Sequence, residues 1–223
     1  MTIDDLNLAL FFDCEATGLH TQTSELIEVG IVSSKGIHLS ERAKPHASLP
    51  SHITKLTGIT DHDLTSAQSE RELILKVHNI LKDAPVLGGY FIHLDIEYLR
   101  NAYSRNGLNE QFEDIEKKPC ICAKTLARLT VLDLAEDFSL AELCQHLEIP
   151  AGVAHNATED AQMALRATEK MTSIIGATSL KMLLDIQGPY VRSPWEHPQM
   201  PPDKKRECRQ RWNEFVENSS KTD

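Results

Sequence analysis

The stretch Phe11-Phe12-Asp13-Cys14-Glu15-Ala16-Thr17-Gly18-Leu19 decides how the rest of the chain is read. It continues a short apolar run, residues 8–12, which predicts a buried strand ending at a glycine-containing turn, Thr17-Gly18. Side chains two apart on a strand share a face, so Asp13 and Glu15 project together while Cys14 turns into the packing behind them. Adjacent carboxylates repel, and each raises the other's pKa unless a cation lies between them. Hard oxygen ligands suit Mg²⁺ or Mn²⁺ rather than zinc. Taken alone, the pair is also compatible with two solvent-facing charges on an edge strand. The apolar residues before it argue for a site, as does the turn after it, whose backbone N–H groups can approach a substrate closely.

Outward from that strand, residues 26–32 and 36–43 predict two more strands joined by a turn at Ser34-Lys35-Gly36, so the chain opens as a β-meander. A helix over 69–82 is expected from the Ser69 and Glu72 capping pair and the stripe Leu73, Ile74, Val77, Ile80, Leu81. A strand at 85–90, a helix at 95–103 stopped near Gly107, a strand near Cys120, and helices at 139–147 and 158–175 follow. The expectation is an α/β domain with a mixed sheet that begins antiparallel and then alternates helix and strand.

Length and composition limit the alternatives. The 223 residues suffice for one sizeable core, expected over 1–186. Beyond it, Gly188, Pro189, Pro194, Pro198, Pro201 and Pro202, then Lys204-Lys205-Arg206, Arg209 and Arg211, mark 187–223 as a Pro-rich, basic tail. That tail is either a flexible extension or a short docked helix over 204–216 with Trp212 and Phe215 against the domain. No stretch approaches the roughly 20 apolar residues of a membrane span. The acidic start lacks the basic and apolar regions of a signal peptide, so a cytoplasmic location is expected. Five scattered cysteines show no zinc-like CxxC spacing, and Cys120 and Cys122 are expected to be buried strand thiols. The net charge of −10 argues against nonspecific wrapping of nucleic acid, which needs many Lys and Arg contacts. An enzyme that grips only a strand end needs few of them.

Two further segments carry candidate chemistry. Asp95, at the expected start of a helix just after a strand, is either a cap or a ligand at a strand-end crevice. In Ala154-His155-Asn156-Ala157-Thr158-Glu159-Asp160, His155 falls in a loop and Asp160 in the first turn of a long helix. Asp160 alone could be dipole compensation. Jointly, carboxylates to hold metal and a histidine to take a proton from water are the parts of a two-metal hydrolase.

In this order, the three segments resemble the DnaQ-like (DEDDh) exonucleases, the family that includes the proofreading epsilon subunit of DNA polymerase III. The first motif resembles Asp13-Cys14-Glu15-Ala16-Thr17-Gly18, the second centres on Asp95, and the third is His155-Asn156-Ala157-Thr158-Glu159-Asp160. Ile53-Thr54-Lys55-Leu56-Thr57-Gly58-Ile59-Thr60 and Ser139-Leu140-Ala141-Glu142-Leu143-Cys144 extend the likeness over roughly residues 7–175. The chain departs from the family at Ala16, where threonine is common, and at Tyr90-Phe91-Ile92, where His-Asn-Ala is frequent.

The resemblance implies a ribonuclease H-like three-layer fold with helices on both faces of the sheet. It implies two Mg²⁺ or Mn²⁺ held by Asp13, Glu15, Asp95 and Asp160, with Glu97 as the fallback for Asp95, and His155 as general base. Ala16, Thr17 and Gly18 would hold the terminal nucleotide, and Leu56 would pack on its base unless it is simply a core leucine. The implied activity is 3′→5′ release of nucleoside 5′-monophosphates from single-stranded or frayed 3′ ends, DNA favoured, in proofreading or repair. RNA 3′-end trimming is the alternative within the family. A noncatalytic module that binds a polymerase or another protein through the tail is the alternative outside it. A homodimer is compatible with the family.

Overall fold

Phe11 and Phe12 are both fully buried, yet they belong to different cores, because consecutive strand residues face opposite sides. The computed structural model describes residues 3–187 apart from 132–137, 151, 153–154, 175 and 178. After a 3₁₀ turn at Ile3–Leu8, the chain runs through β1 (Leu10–Ala16), β2 (Leu26–Ser33), β3 (Gly36–Lys44), α1 (Ser51–Thr57), β4 (Gln68–Ser69) and α2 (Glu70–Leu81). It continues through β5 (Leu87–Gly89), α3 (Ile92–Arg105), α4 (Asn109–Glu116), β6 (Cys120–Cys122), α5 (Ala123–Thr130), α6 (Leu140–His146), α7 (Ala157–Ile174) and α8 (Leu180–Gln187).

The six strands form one mixed sheet in the order β4-β3-β2-β1-β5-β6. β1, β2 and β3 pair antiparallel, as the meander expectation requires, while β5 and β6 add in parallel. On one face, Phe12 packs with Leu73, Leu99 and Phe112 from α2, α3 and α4. On the other, Phe11 packs with Leu126, Leu143, Ala164 and Leu183 from α5, α6, α7 and α8. The result is a three-layer α/β sandwich with the ribonuclease H-like arrangement.

Local signals wrote the well-capped helices. Ser69 with Glu72 and Ser139 with Glu142 each form the reciprocal capping box, at the starts of α2 and α6. α1, α4 and α5 were not expected, and each begins without a side-chain cap, on Pro50, Leu108 and Cys122. α8 also was not expected, although Ser179 Oγ accepts the Met182 N–H at 3.1 Å at its start.

Gly88 shows why β5 can lie so close to the central strand. A Cβ there would stand 2.6 Å from the Phe11 ring, closer than carbon atoms approach. Cys122 is buried in β6 and Cys120 partly so, in keeping with thiols that pack.

β6 is the sheet's outer edge, and its unpaired backbone groups need partners. Gln187 supplies them: its side-chain carbonyl accepts the Cys122 N–H at 3.0 Å, and its amide donates to the Cys120 carbonyl. Gln187 is 1% exposed. Gln187, the first residue of the expected tail, is thus packed against the domain. Residues 188–223, including the segment with Trp212 and Phe215, lie outside the described residues. Gln187→Ala should lower unfolding free energy by about 1–3 kcal/mol through the two orphaned backbone groups, as measured by urea denaturation.

Candidate functional site

On β1, Asp13 and Glu15 face the same side, toward α7. Across the ladder, Gly30 stands opposite Asp13 and Glu28 opposite Glu15. Cys14 packs against the other core, as the alternation demands. Just after Glu15 the pairing with β2 slips, and the chain leaves the ladder at Ala16.

Asp95 reaches this group from α3. The helix begins at Ile92, earlier than expected, so Asp95 lies inside the first turn and makes no cap. Its Oδ1 instead accepts the Cys14 N–H at 3.1 Å, tying α3 to the strand between the two acids of β1. Glu97 turns away and pairs with Arg100, which also reaches Glu116.

Asp160 comes from the first turn of α7. Its Oδ2 accepts the backbone N–H of His155 at 3.0 Å. Asn156 caps the helix by accepting the Glu159 N–H at 3.0 Å. His155 is exposed and sits at φ 61°, the left-handed region that few non-glycine residues occupy. Glu15, His155 and Asp160 each offer a donor atom within 4.8 Å of the others'.

The electrostatics follow from crowding acids in a partly buried place. Burial, then Asp95, Glu15, Asp160 and Glu28, hold the Asp13 carboxyl well above its ordinary pKa. Asp95 is raised likewise, mainly by burial, against the pull of the Cys14 N–H. Glu15 is pushed to about 8 by burial, Asp160 and Glu28. Asp160 is pushed to about 6 by burial, although the His155 N–H and the nearby imidazole oppose the shift. A cation set among these oxygens would remove the penalty, and the donor set fits a hard divalent ion.

The segment expected to hold substrate is arranged differently from a tight turn at Thr17-Gly18. The chain only bends there and reverses at residues 20–23. The Thr17 N–H is committed to the Glu25 carbonyl at 2.9 Å, so it is not available to a ligand. Gly18 has its carbonyl held at 2.7 Å by the hydroxyl of Tyr98. Leu56 is not a core leucine in a loop; it stands 46% exposed on α1.

Two further groups were not expected from sequence. Glu28 is buried and is the one charged residue of β2, directly across from Glu15. Lys124 lies 5.5 Å from the ring centres of Tyr90 and Phe91 and 5.7 Å from that of Phe138, at the motif that departs from the family. Its N–H donates to the Tyr90 carbonyl at 2.9 Å, which docks the start of α5 on the end of β5.

The family model RNase_T, described as Exonuclease, matches residues 10–168. The chain belongs to this exonuclease family. It carries a DnaQ-like 3′→5′ exonuclease domain, and the match spans every acidic candidate and His155. Over 155 residues it is 28% identical to the DNA polymerase III subunit epsilon of Aquifex aeolicus, covering 68% of this chain and 73% of that protein. Over 156 residues it is 33% identical to the PolC-type DNA polymerase III of Halalkalibacterium halodurans, covering 68% of this chain but only 10% of that much longer protein. In fold it is similar to E. coli Exonuclease I solved with a dA16 oligonucleotide, at a TM-score of 0.65 and 18% identity over 82% of this chain and 43% of that one.

A carboxyl with a raised pKa binds its proton more tightly in the folded state than in the unfolded one. Stability of the metal-free domain then falls as pH rises from the ordinary 4.5 of Glu15 and 3.8 of Asp160 through about 8 and about 6. In EDTA, the Tm should decline between about pH 5 and about pH 8. Glu15→Gln should flatten that decline; an identical slope in the variant would show that Glu15 is not among the crowded groups.

Proposed function

We propose that the domain removes nucleoside 5′-monophosphates one at a time from the 3′ end of DNA, in a proofreading or repair setting. The observation that carries this is the meeting of Glu15, His155 and Asp160 donor atoms within 4.8 Å, beside Asp13 and Asp95. The polymerase relatives favour DNA as substrate and a DNA polymerase as partner.

Asp13, Glu15, Asp95 and Asp160 would hold two Mg²⁺ or Mn²⁺, which when bound stabilise negative charge on the attacking and departing oxygens. His155 takes a proton from water as the water oxygen bonds to the terminal phosphorus. The bond from phosphorus to the preceding nucleotide's O3′ breaks, and that oxygen leaves as a new 3′-hydroxyl once protonated. Asp160, through its bond to the His155 N–H, fixes the backbone that presents the imidazole. The bend at Ala16, Thr17 and Gly18, braced by Tyr98, and the exposed Leu56 form the side against which the terminal nucleotide rests. Contact by shape and stacking accepts any base, which a trimming enzyme requires. In this scheme the proline and basic content of residues 187–223 suits them to contact the partner protein.

The test is digestion of 3′-labelled DNA and RNA strands of one sequence, single and double stranded, with Mg²⁺, Mn²⁺ or EDTA. Mononucleotide release from DNA that requires the metal is expected; faster release from RNA would move the substrate assignment to RNA trimming. Asp13→Ala and Asp160→Ala should each abolish release. His155→Ala should slow turnover by about 10² to 10⁴ while metal affinity by calorimetry stays close to wild type. An equal loss of metal affinity would make His155 a ligand instead.

A further inference from the structure

The placement of α7 rests on a short stretch of β2 that takes no part in the chemistry just described. The two helix residues that touch the sheet first, Ala157 and Thr158, meet three features there. The Ala157 N–H donates to Glu28 Oε2 at 3.0 Å. A Cβ on Gly30 would lie 2.4 Å from the Thr158 backbone nitrogen and Cα, so the helix start occupies the space where a side chain would be. From β3, Ser40 Oγ lies 2.8 Å from Thr158 Oγ1.

Glu28 and Gly30 face the same side of β2 and stand directly across from Glu15 and Asp13. The strand that opposes the two acids of β1 thus also receives the helix that brings Asp160 and, one turn earlier, His155. Glu28 is not a spare metal ligand. Its Oε1 is engaged by Arg42 Nε at 2.7 Å and its Oε2 by the Ala157 N–H, so both oxygens are committed and its charge is matched. A carboxylate at a helix N-terminus also meets the positive end of the helix dipole.

We propose that Glu28, with Gly30 beside it, is a positioning residue: it seats the first turn of α7 and so sets where Asp160 and His155 stand relative to Asp13 and Glu15. The inference deepens the exonuclease proposal and rests on it for its kinetic consequence alone. Displacing a reacting group by about 1 Å costs on the order of 100-fold in rate, so a loosened seat affects turnover before it affects substrate binding.

The test compares Glu28→Ala, Glu28→Gln and Ser40→Ala with wild type in the full chain. Three quantities are read: hydrogen exchange of the amides at 155–165, kcat and KM on a 3′-labelled DNA strand with Mg²⁺, and Mn²⁺ affinity by calorimetry. Glu28→Ala should speed exchange at the start of α7 and lower kcat by about 10- to 100-fold with KM nearly unchanged. Glu28→Gln keeps an oxygen that can accept the Ala157 N–H and should recover most of both. Ser40, exposed on β3, can be removed without risk to the core; Ser40→Ala should give a smaller change of the same kind, and it decides the matter if Glu28→Ala does not fold. Unaltered exchange in these variants would overturn the proposal. So would a glutamine variant as weak in Mn²⁺ binding and turnover as the alanine one, since that result makes Glu28 a ligand. If wild type itself releases no nucleotide, the nuclease assignment fails and the exchange measurement still decides whether Glu28 seats α7.

Discussion

Asp13, Glu15, Asp95 and Asp160 repel one another, and most of the fold can be understood as the means of holding them together regardless. Three attachments bring them: alternation on β1 for two, a hydrogen bond from Cys14 to α3 for the third, and the seating of α7 on β2 for the fourth. None of these contacts is strong enough by itself to confine four partly buried carboxylates. The apolar layers on either side of β1 supply the confinement, since moving any acid away would open a core built around Phe11 or Phe12. Stability in the packing is what lets the centre carry strain, and the left-handed backbone of His155 shows the strain at the same place.

A second buried cluster braces the loop that leads from the site back into the sheet. Glu70, at the start of α2, accepts the Leu26 N–H at 2.9 Å and also binds Arg105 and Asn106 at the end of α3. Arg105 in turn reaches the Ser24 carbonyl at 2.8 Å. Two helices and the first residue of β2 are thus locked to one carboxylate. The bend carrying Thr17 and Gly18 is anchored at both ends, by β1 before it and by this cluster after it.

How much of this could be read from the chain depended on how local its cause was. Asp13 and Glu15 were legible because strand alternation is a matter of adjacent residues, and the Ser69 and Ser139 helix starts because a capping box spans a single turn. Asp95 was expected near a helix start, but its partner, the Cys14 N–H, is 81 positions away, and nothing local separates a cap from that contact. Gln187 looked like the first residue of a tail because its role is to satisfy the edge of β6, 65 positions earlier. Nothing local marks Gly30, because the start of α7, which fills the place of its missing side chain, lies far along the chain. Thr17 illustrates the opposite error: its neighbourhood suggested a free backbone donor, and a residue across the loop had already taken it.

The contact between Glu28 and Ala157 joins positions 129 apart in the chain. At about 5 to 20 residues per second, β2 leaves the ribosome roughly 6 to 26 s before the helix it must receive. Through that interval the chain has its first acids but neither Asp160 nor His155, two of the groups that the proposed mechanism requires. In the proposed mechanism, a centre spread across β1 and α7 makes hydrolysis conditional on a nearly finished fold.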